Sequence, residues 1–267
     1  MGDATRTEVL SKGRRSLLPA DWPAPPGVRT LSTLRGPAGA SQGPWAYLNL
    51  GLSNGDDPLV VTRNRLTLHR GAGLPAAPCW LQQVHGTRVV SFPLPAGTGS
   101  SVSSNAVPEA DAAVSSVAGV VLAILSADCL PVLFAAADGS EIAAAHAGWR
   151  GLASGVLEAT LAVLHTPPTR LLAWIGPGIG ASSYEVGAEV RTAFTEHYPE
   201  AAVHFASTRP GHWNCDLAGL ARDRLKTAGV IRIFGGGFDT GTDARFYSHR
   251  RDGLRSGRFA SLIWMQP

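Results

Sequence analysis

Apolar positions along this chain gather in short unbroken runs, each closed by glycine, proline or aspartate. The middle third shows this most clearly. Gly119 to Ser126, Leu130 to Ala136 and Glu141 to Ala145 read as three consecutive strands, with Asp138-Gly139 as the hairpin turn between the last two. The period then changes. Leu152, Val156, Leu157, Leu161 and Leu164 fall at helical spacing, which predicts a helix over Gly151 to His165 that stops at Pro167-Pro168. Upstream, Asp56-Asp57-Pro58 opens a helix running to about His69, because an aspartate cap followed by a first-turn proline is a start signal.

Further strands are predicted at Cys79 to Val84, Thr87 to Phe92, Leu171 to Ile175, Val230 to Phe234 and Phe259 to Trp264, and further helices at about Ala188 to His197 and Asp216 to Ala228. Pro93 to Pro108, rich in Gly, Ser and Pro, reads as a surface loop. Residues 1–26, polar and then proline-rich, read as a flexible leader. No repeat or linker divides the remainder, so 27–267 is expected to be a single α/β domain with mixed strands.

Composition narrows the class. With 45% hydrophobic and 16% charged residues in 267, the chain can bury a large core, which predicts a soluble globular protein. The longest apolar stretch, Val117 to Leu125, is too short for a bilayer span of roughly 20 residues, so no membrane association is expected. No hydrophobic signal core follows the N-terminal charges, which predicts a cytoplasmic protein. Three cysteines, an odd number, argue against a disulfide framework. Net charge is +3, but the arginines are scattered and no basic run exceeds two. That balance suits small anions at least as well as a polymer backbone, and nucleic acid is not an expected partner.

The chemistry sits in three segments: Gln83-Val84-His85-Gly86, Ala127-Asp128-Cys129-Leu130-Pro131 and His146-Ala147-Gly148-Trp149-Arg150-Gly151. Two imidazoles and one thiolate, each at a strand-to-turn junction, form a ligand set for Zn2+, with Cu2+ as its competitor. Three protein ligands leave a fourth position for water or substrate, the mark of a catalytic rather than a structural metal site. Asp128, Asp111 and Glu185 are acid or base candidates. Gly176 to Gly180 follows a strand but lacks a Walker lysine and reads as a tight turn or an anion cradle. No serine nucleophile elbow is expected. The His-x-His pairs of a blue-copper oxidase are missing.

These segments, taken with Leu48-Asn49-Leu50-Gly51, Gly55-Asp56-Asp57-Pro58, Gly176-Pro177, Tyr184-Glu185-Val186-Gly187 and Phe246-Tyr247-Ser248-His249-Arg250-Arg251-Asp252, resemble the laccase-domain family. That family is also called the multicopper polyphenol oxidase or purine nucleoside phosphorylase type, and includes the bacterial peptidoglycan editing factor. The resemblance runs from about Leu31 to Met265. It implies a four-layer α/β/β/α sandwich with mixed sheets and a zinc site of His85, Cys129 and His146. It also implies phosphorolysis of adenosine, inosine, guanosine and methylthioadenosine, with adenosine deamination besides. Two departures stand out: Asp239-Thr240 replaces the family's cysteine-threonine pair, and the stretch around Arg35 is longer than the family's.

On this reading Asp128 shuttles a proton near the metal, while Arg35 and Arg150 clamp phosphate, because guanidinium binds it bidentately. The expected partners are purine nucleosides and phosphate, and the expected state is a monomer. The alternatives are a Cys129–His146 hydrolase editing peptidoglycan precursors and a copper-dependent polyphenol oxidase.

Overall fold

A computed structural model describes residues 16–93 and 107–267. Its centre is a six-stranded mixed sheet in the order β12-β8-β6-β7-β4-β3. The strands are β3 (Val89–Ser91), β4 (Ala112–Ser115), β6 (Leu130–Ala136), β7 (Ile142–Ala147), β8 (Leu171–Ile175) and β12 (Arg232–Gly235). A second sheet, ordered β1-β2-β13-β5, contains β1 (Leu17–Pro19), β2 (Val28–Thr33), β5 (Val121–Ser126) and β13 (Phe259–Met265). A small third sheet joins β9 (Glu185–Gly187), β10 (Phe205–Arg209) and β11 (His212–Cys215).

The layers follow from side-chain alternation. On β5, Leu122 and Ile124 face the central sheet, while Val121 and Ala123 face outward. On β6, Leu133 and Ala135 meet them from the other side, while Val132 and Phe134 turn to the opposite face. That opposite face is covered by α2 (Trp149–Ala153), α3 (Val156–Val163), α4 (Ala188–Thr195) and α5 (Leu217–Thr227), through Leu152, Leu157, Val190 and Leu220 among others. The outer face of the second sheet carries α1 (Pro58–Ala72) through Leu68. The result is helix, sheet, sheet, helices: the α/β/β/α order the family resemblance implies. Strands buried on both faces have no polar side, so they appear in the sequence as unbroken apolar runs.

Several boundaries differ from the sequence reading. The helix expected over Gly151 to His165 is two helices, because Gly155 takes φ +95° between them and cannot continue a right-handed turn. Cys79 and Gln82 make one isolated bridge each rather than a strand. There the Gln83 side chain replaces a ladder: its Nε2 donates to Leu125 O and its Oε1 accepts from Leu125 N, both at 2.8 Å. The expected leader is not loose throughout, since Leu17–Pro19 pairs antiparallel with Leu31–Thr33. Residues 1–15, and 94–106 of the expected surface loop, lie outside the described residues. Among the described residues no helix is long and apolar enough to cross a membrane.

One buried carboxylate pins a loop beneath this framework. Glu141 accepts from the backbone of His165 and Thr166 at about 3.0 Å and pairs with His165 Nδ1 at 3.0 Å. Burial disfavours its charge, but these donors outweigh burial and hold its pKa below the ordinary value. A depressed folded-state pKa contributes stability that is complete above about pH 4.3 and is lost as pH falls through the folded value. Glu141→Gln is therefore expected to be about 1–3 kcal/mol less stable than wild type at pH 7. The gap in urea midpoints should narrow steadily below pH 4; a constant gap down to pH 2 would contradict this account.

Candidate metal centre

His85, Cys129 and His146 come together, with one ligand atom from each lying within 4.8 Å of the others. Three turns deliver them: the loop before β3, the junction of β5 and β6, and the end of β7. His85 Nε2 stands 3.7 Å from Cys129 Sγ. A tetrahedral ion with N at about 2.05 Å and S at about 2.3 Å would place these two atoms about 3.6 Å apart, so the donor set fits zinc in chemistry and this pair fits it in spacing. The two imidazoles meet edge to face, with ring centroids 4.8 Å apart. His85 is exposed and His146 buried, so the cluster opens to solvent on one side. Among the described residues no fourth His, Cys, Asp or Glu completes the set, and His69, His212 and His249 stay outside it.

Asp111 organises two of the three ligands. Its carboxylate is fully buried and accepts from three consecutive amides, Val84 N (3.1 Å), His85 N (2.9 Å) and Gly86 N (2.7 Å). Its Oδ1 also lies 2.8 Å from His146 Nδ1, and its backbone carbonyl accepts from His146 N at 2.7 Å. With Nδ1 committed to Asp111, the other ring nitrogen of His146 is the one left to hold a metal ion. A carboxylate behind a histidine fixes its tautomer and raises its basicity toward metal.

The only two non-glycine residues with positive φ among those described are His85 (φ +61°) and Asp128 (φ +93°). The first belongs to the cluster and the second immediately precedes Cys129. Such conformations persist only where surroundings over-determine them, and they gather at functional sites. Asp111 holds the first. The second is held by Thr240 Oγ1, which donates to Asp128 Oδ1 at 2.6 Å, and by Arg250 N, which donates to Oδ2 at 2.6 Å.

Electrostatics separate Cys129 from the other thiols. Burial opposes its ionisation, but the charge of His146 and hydrogen bonds from His146 and His85 outweigh burial and bring its pKa down to about 6. Burial acts against the His146 charge too, yet Cys129 and Asp111 raise its pKa to about 9. Burial pushes the Cys215 thiol up to about 12 and raises that of Cys79. Only Cys129 is therefore poised as a thiolate.

Room for the ligands depends on Gly148. A Cβ there would stand 2.7 Å from His85 Cδ2 and 2.9 Å from Cys129 Sγ. Gly148→Ala is expected to lower metal affinity at least tenfold by displacing two ligands, measurable by competition with a chromophoric chelator. Wild-type affinity in this variant would show that the ligands have slack.

The other candidates lie at varying distance from this chemistry. Arg35 donates from Nε to Ala46 O at 2.6 Å and faces Asp252 at 3.6 Å. Arg150 is the second residue of α2, four positions after His146, its guanidinium over the Trp149 ring. Glu185 lies on β9, paired with Arg209 at 2.8 Å. The glycine turn at 176–180 directs three of its four amides to protein: Gly176 N to Pro131 O, Ile179 N to Asp128 O, and Gly180 N to Asp239 Oδ1. It is a structural turn. Asp239, at the position of the family's cysteine, serves that turn by also accepting from Ser183 Oγ and Gly241 N.

One expectation needs correcting, since Gly39-Ala40-Ser41-Gln42-Gly43 does spell Gly-x-Ser-x-Gly. It is no nucleophile elbow, because Ser41 Oγ donates to Asp56 at 2.6 Å and accepts from Asn64. The sequence reading passed over Gly148 and Arg258. A glycine beside a ligand was the available signal for the first. Arg258 carried none, because its burial is tertiary.

A purine nucleoside phosphorylase of Xylella fastidiosa is 54% identical over 255 residues, covering 93% of this chain and 96% of the relative. A protein of Escherichia coli named purine nucleoside phosphorylase YfiH is 44% identical, covering 93% of this chain and 98% of the relative. The crystal structure of the Neisseria meningitidis protein NMB0706 superposes with a TM-score of 0.86 at 44% identity, covering 94% of this chain and all of that one. The family described as multi-copper polyphenol oxidoreductase laccase matches residues 29–266, and the chain belongs to that family.

Proposed function

We propose that the chain is a metal-dependent purine nucleoside phosphorylase, acting on adenosine, inosine, guanosine and methylthioadenosine and also deaminating adenosine. The observation that carries this reading is the open three-ligand cluster of His85, Cys129 and His146 behind Asp111, in a chain whose relatives are named purine nucleoside phosphorylases. Zinc is the metal this donor set suits, with copper as the alternative. When bound, the ion supplies Lewis-acid stabilisation of negative charge and lowers the pKa of water at that position.

The protein's own groups do the rest. Asp111 holds His146 in one tautomer and the His85 loop in its left-handed turn. In phosphorolysis a phosphate oxygen bonds to ribose C1 as the C1–N9 bond breaks, its electron pair leaving with the purine. Arg150 sits two residues after Gly148 and is our candidate for an outer phosphate contact; Arg35, committed to Ala46 and Asp252, positions its loop. In deamination water adds at purine C6 and ammonia departs. Asp128, considered for proton transfer, has both oxygens engaged, so we assign it to anchoring the Thr240 and Arg250 segments. Three thiols in no disulfide support a reducing, cytoplasmic setting.

A second reading has its own support. Cys129 with its pKa near 6, beside His146 and Asp111, has the layout of a cysteine hydrolase, here one editing peptidoglycan precursors. Chelation separates the two. Chromatography of adenosine incubated with the protein, with and without phosphate, before and after chelation, should show phosphate-dependent adenine that disappears on chelation and phosphate-independent inosine. Unchanged adenosine under every condition would end the nucleoside reading, and full turnover of a cell-wall precursor in chelator would establish the hydrolase. Reconstitution with copper and a polyphenol substrate tests the oxidase that the family description names.

A further inference from the structure

We propose that Arg258 is the anion-binding residue of this site, presenting its guanidinium edge to inorganic phosphate; the identity of the anion rests on the phosphorolysis reading above. Arg258 immediately precedes β13. The next residue, Phe259, pairs with Ser126 at the end of β5, and Ser126 Oγ donates to the carbonyl of Cys129. Backbone register therefore sets Arg258 beside the loop that carries the thiolate ligand.

The side chain is deliberately accommodated. Its backbone N donates to Asn49 Oδ1 at 2.8 Å, and Asn49 Oδ1 also takes Gly51 N at 3.0 Å. A Cβ at Gly51 would stand 2.8 Å from Arg258 Cγ, so the Leu48-Asn49-Leu50-Gly51 segment leaves space for this stem. Nη1 is then fixed by two carbonyls, Ser256 O at 2.8 Å and Gly257 O at 2.9 Å.

What remains unsatisfied is the edge that matters. Among the described residues Nε and Nη2 of Arg258 donate to no protein acceptor, and no carboxylate comes within 4.0 Å of the guanidinium. Neither nitrogen is sealed from solvent, since among the described residues Glu158 Oε2 is the one fully enclosed side-chain polar atom without a partner. Nε and Nη2 together form the side-on fork that binds a phosphate bidentately. The other strongly desolvated arginine, Arg65, shows the contrast: its Nε and Nη2 both go to Leu50 O, and its guanidinium lies 4.0 Å from the Trp80 ring centroid.

Burial lowers the Arg258 pKa, and the charges of Cys129 and Asp128 act against that fall, which places all three groups in one field. A desolvated cation with no paired carboxylate is costly to keep unless a ligand supplies the counter-charge. Arg35 and Arg251, by comparison, are both paired with Asp252.

The test is calorimetric titration of inorganic phosphate into the metal-loaded protein, comparing wild type with Arg258→Met, which keeps the stem, and Arg258→Lys, which keeps the charge. Phosphate affinity should fall at least tenfold in the Met variant and by a smaller factor in the Lys variant, with metal content and Tm at wild-type values. In turnover, the KM for phosphate should rise in parallel while the KM for adenosine stays within about twofold.

Wild-type phosphate affinity in both variants would overturn the assignment, as would a wild-type protein that binds no phosphate. The two readings fail separately. Phosphate binding lost in Arg258→Met, with no base released by wild type from any nucleoside, sustains Arg258 and sinks phosphorolysis. Phosphate-dependent base release with an unchanged phosphate KM in both variants does the reverse.

Discussion

Cys129→Ala should abolish metal binding and turnover together. In the proposed metal site the residue would supply the soft ligand between two imidazoles, and its thiolate is favoured by the neighbouring His146 and His85. Without it two histidines remain, one of them on an exposed loop, and the site loses its anionic donor. Metal stabilisation of developing charge contributes several kcal/mol, and about 4 kcal/mol corresponds to roughly a thousandfold in rate. Base release should therefore fall by at least about a thousandfold, and elemental analysis should show the variant depleted of metal. Folding should survive, since the cysteine is only partly buried and the β5–β6 junction is held by Thr240, Arg250 and Ile179 through Asp128. A metal-free Cys129→Ala protein with full phosphorolytic activity would end the metal reading.

Asp111→Asn should weaken the site and the fold at once. An amide of the same shape loses the negative charge and points a donor at groups that are themselves donors: the amides of Val84, His85 and Gly86 and the ring of His146. Loss of such a partner behind a ligand costs 10–100-fold in metal affinity on the order of known sites. Buried hydrogen bonds to a charged acceptor are each worth roughly 1.5–3 kcal/mol. With a net loss of about 2–5 kcal/mol, Tm should drop by roughly 5–15 °C. The variant thus differs from Cys129→Ala, which should lose metal with little loss of stability. Chelator competition and thermal melting on both proteins decide this. An Asp111→Asn protein that melts at the wild-type temperature would mean that other contacts hold the His85 turn.

The three metal-capable side chains were legible in the sequence because each sits near where an apolar run meets a turn, and a strand end is where a side chain can reach a cleft. The layering was legible only through resemblance, since runs buried on both faces carry no alternation to show which face meets which sheet. Asp111 was visible as a carboxylate, yet its work is to orient His146 and bind three amides, and that follows from pairing of β4 with β7. The Gln83 side chain replacing a strand, and the exposed β10–β11 hairpin, were hidden because neither leaves an apolar pattern.

By itself, then, the sequence determined the apolar strands, the helix starts at Asp57 and Asp216 and the three metal-capable groups, all of them properties of residues and their near neighbours. Tertiary structure alone decided which groups meet. The left-handed turns at His85 and Asp128, the choice of Asp111 behind His146, and the burial of Arg258 beside Cys129 depend on contacts between segments tens to more than a hundred residues apart. The physical reason is range: propensity and periodicity act within a few positions, whereas desolvation, charge coupling and hydrogen-bond completion act through space once the sheets have closed.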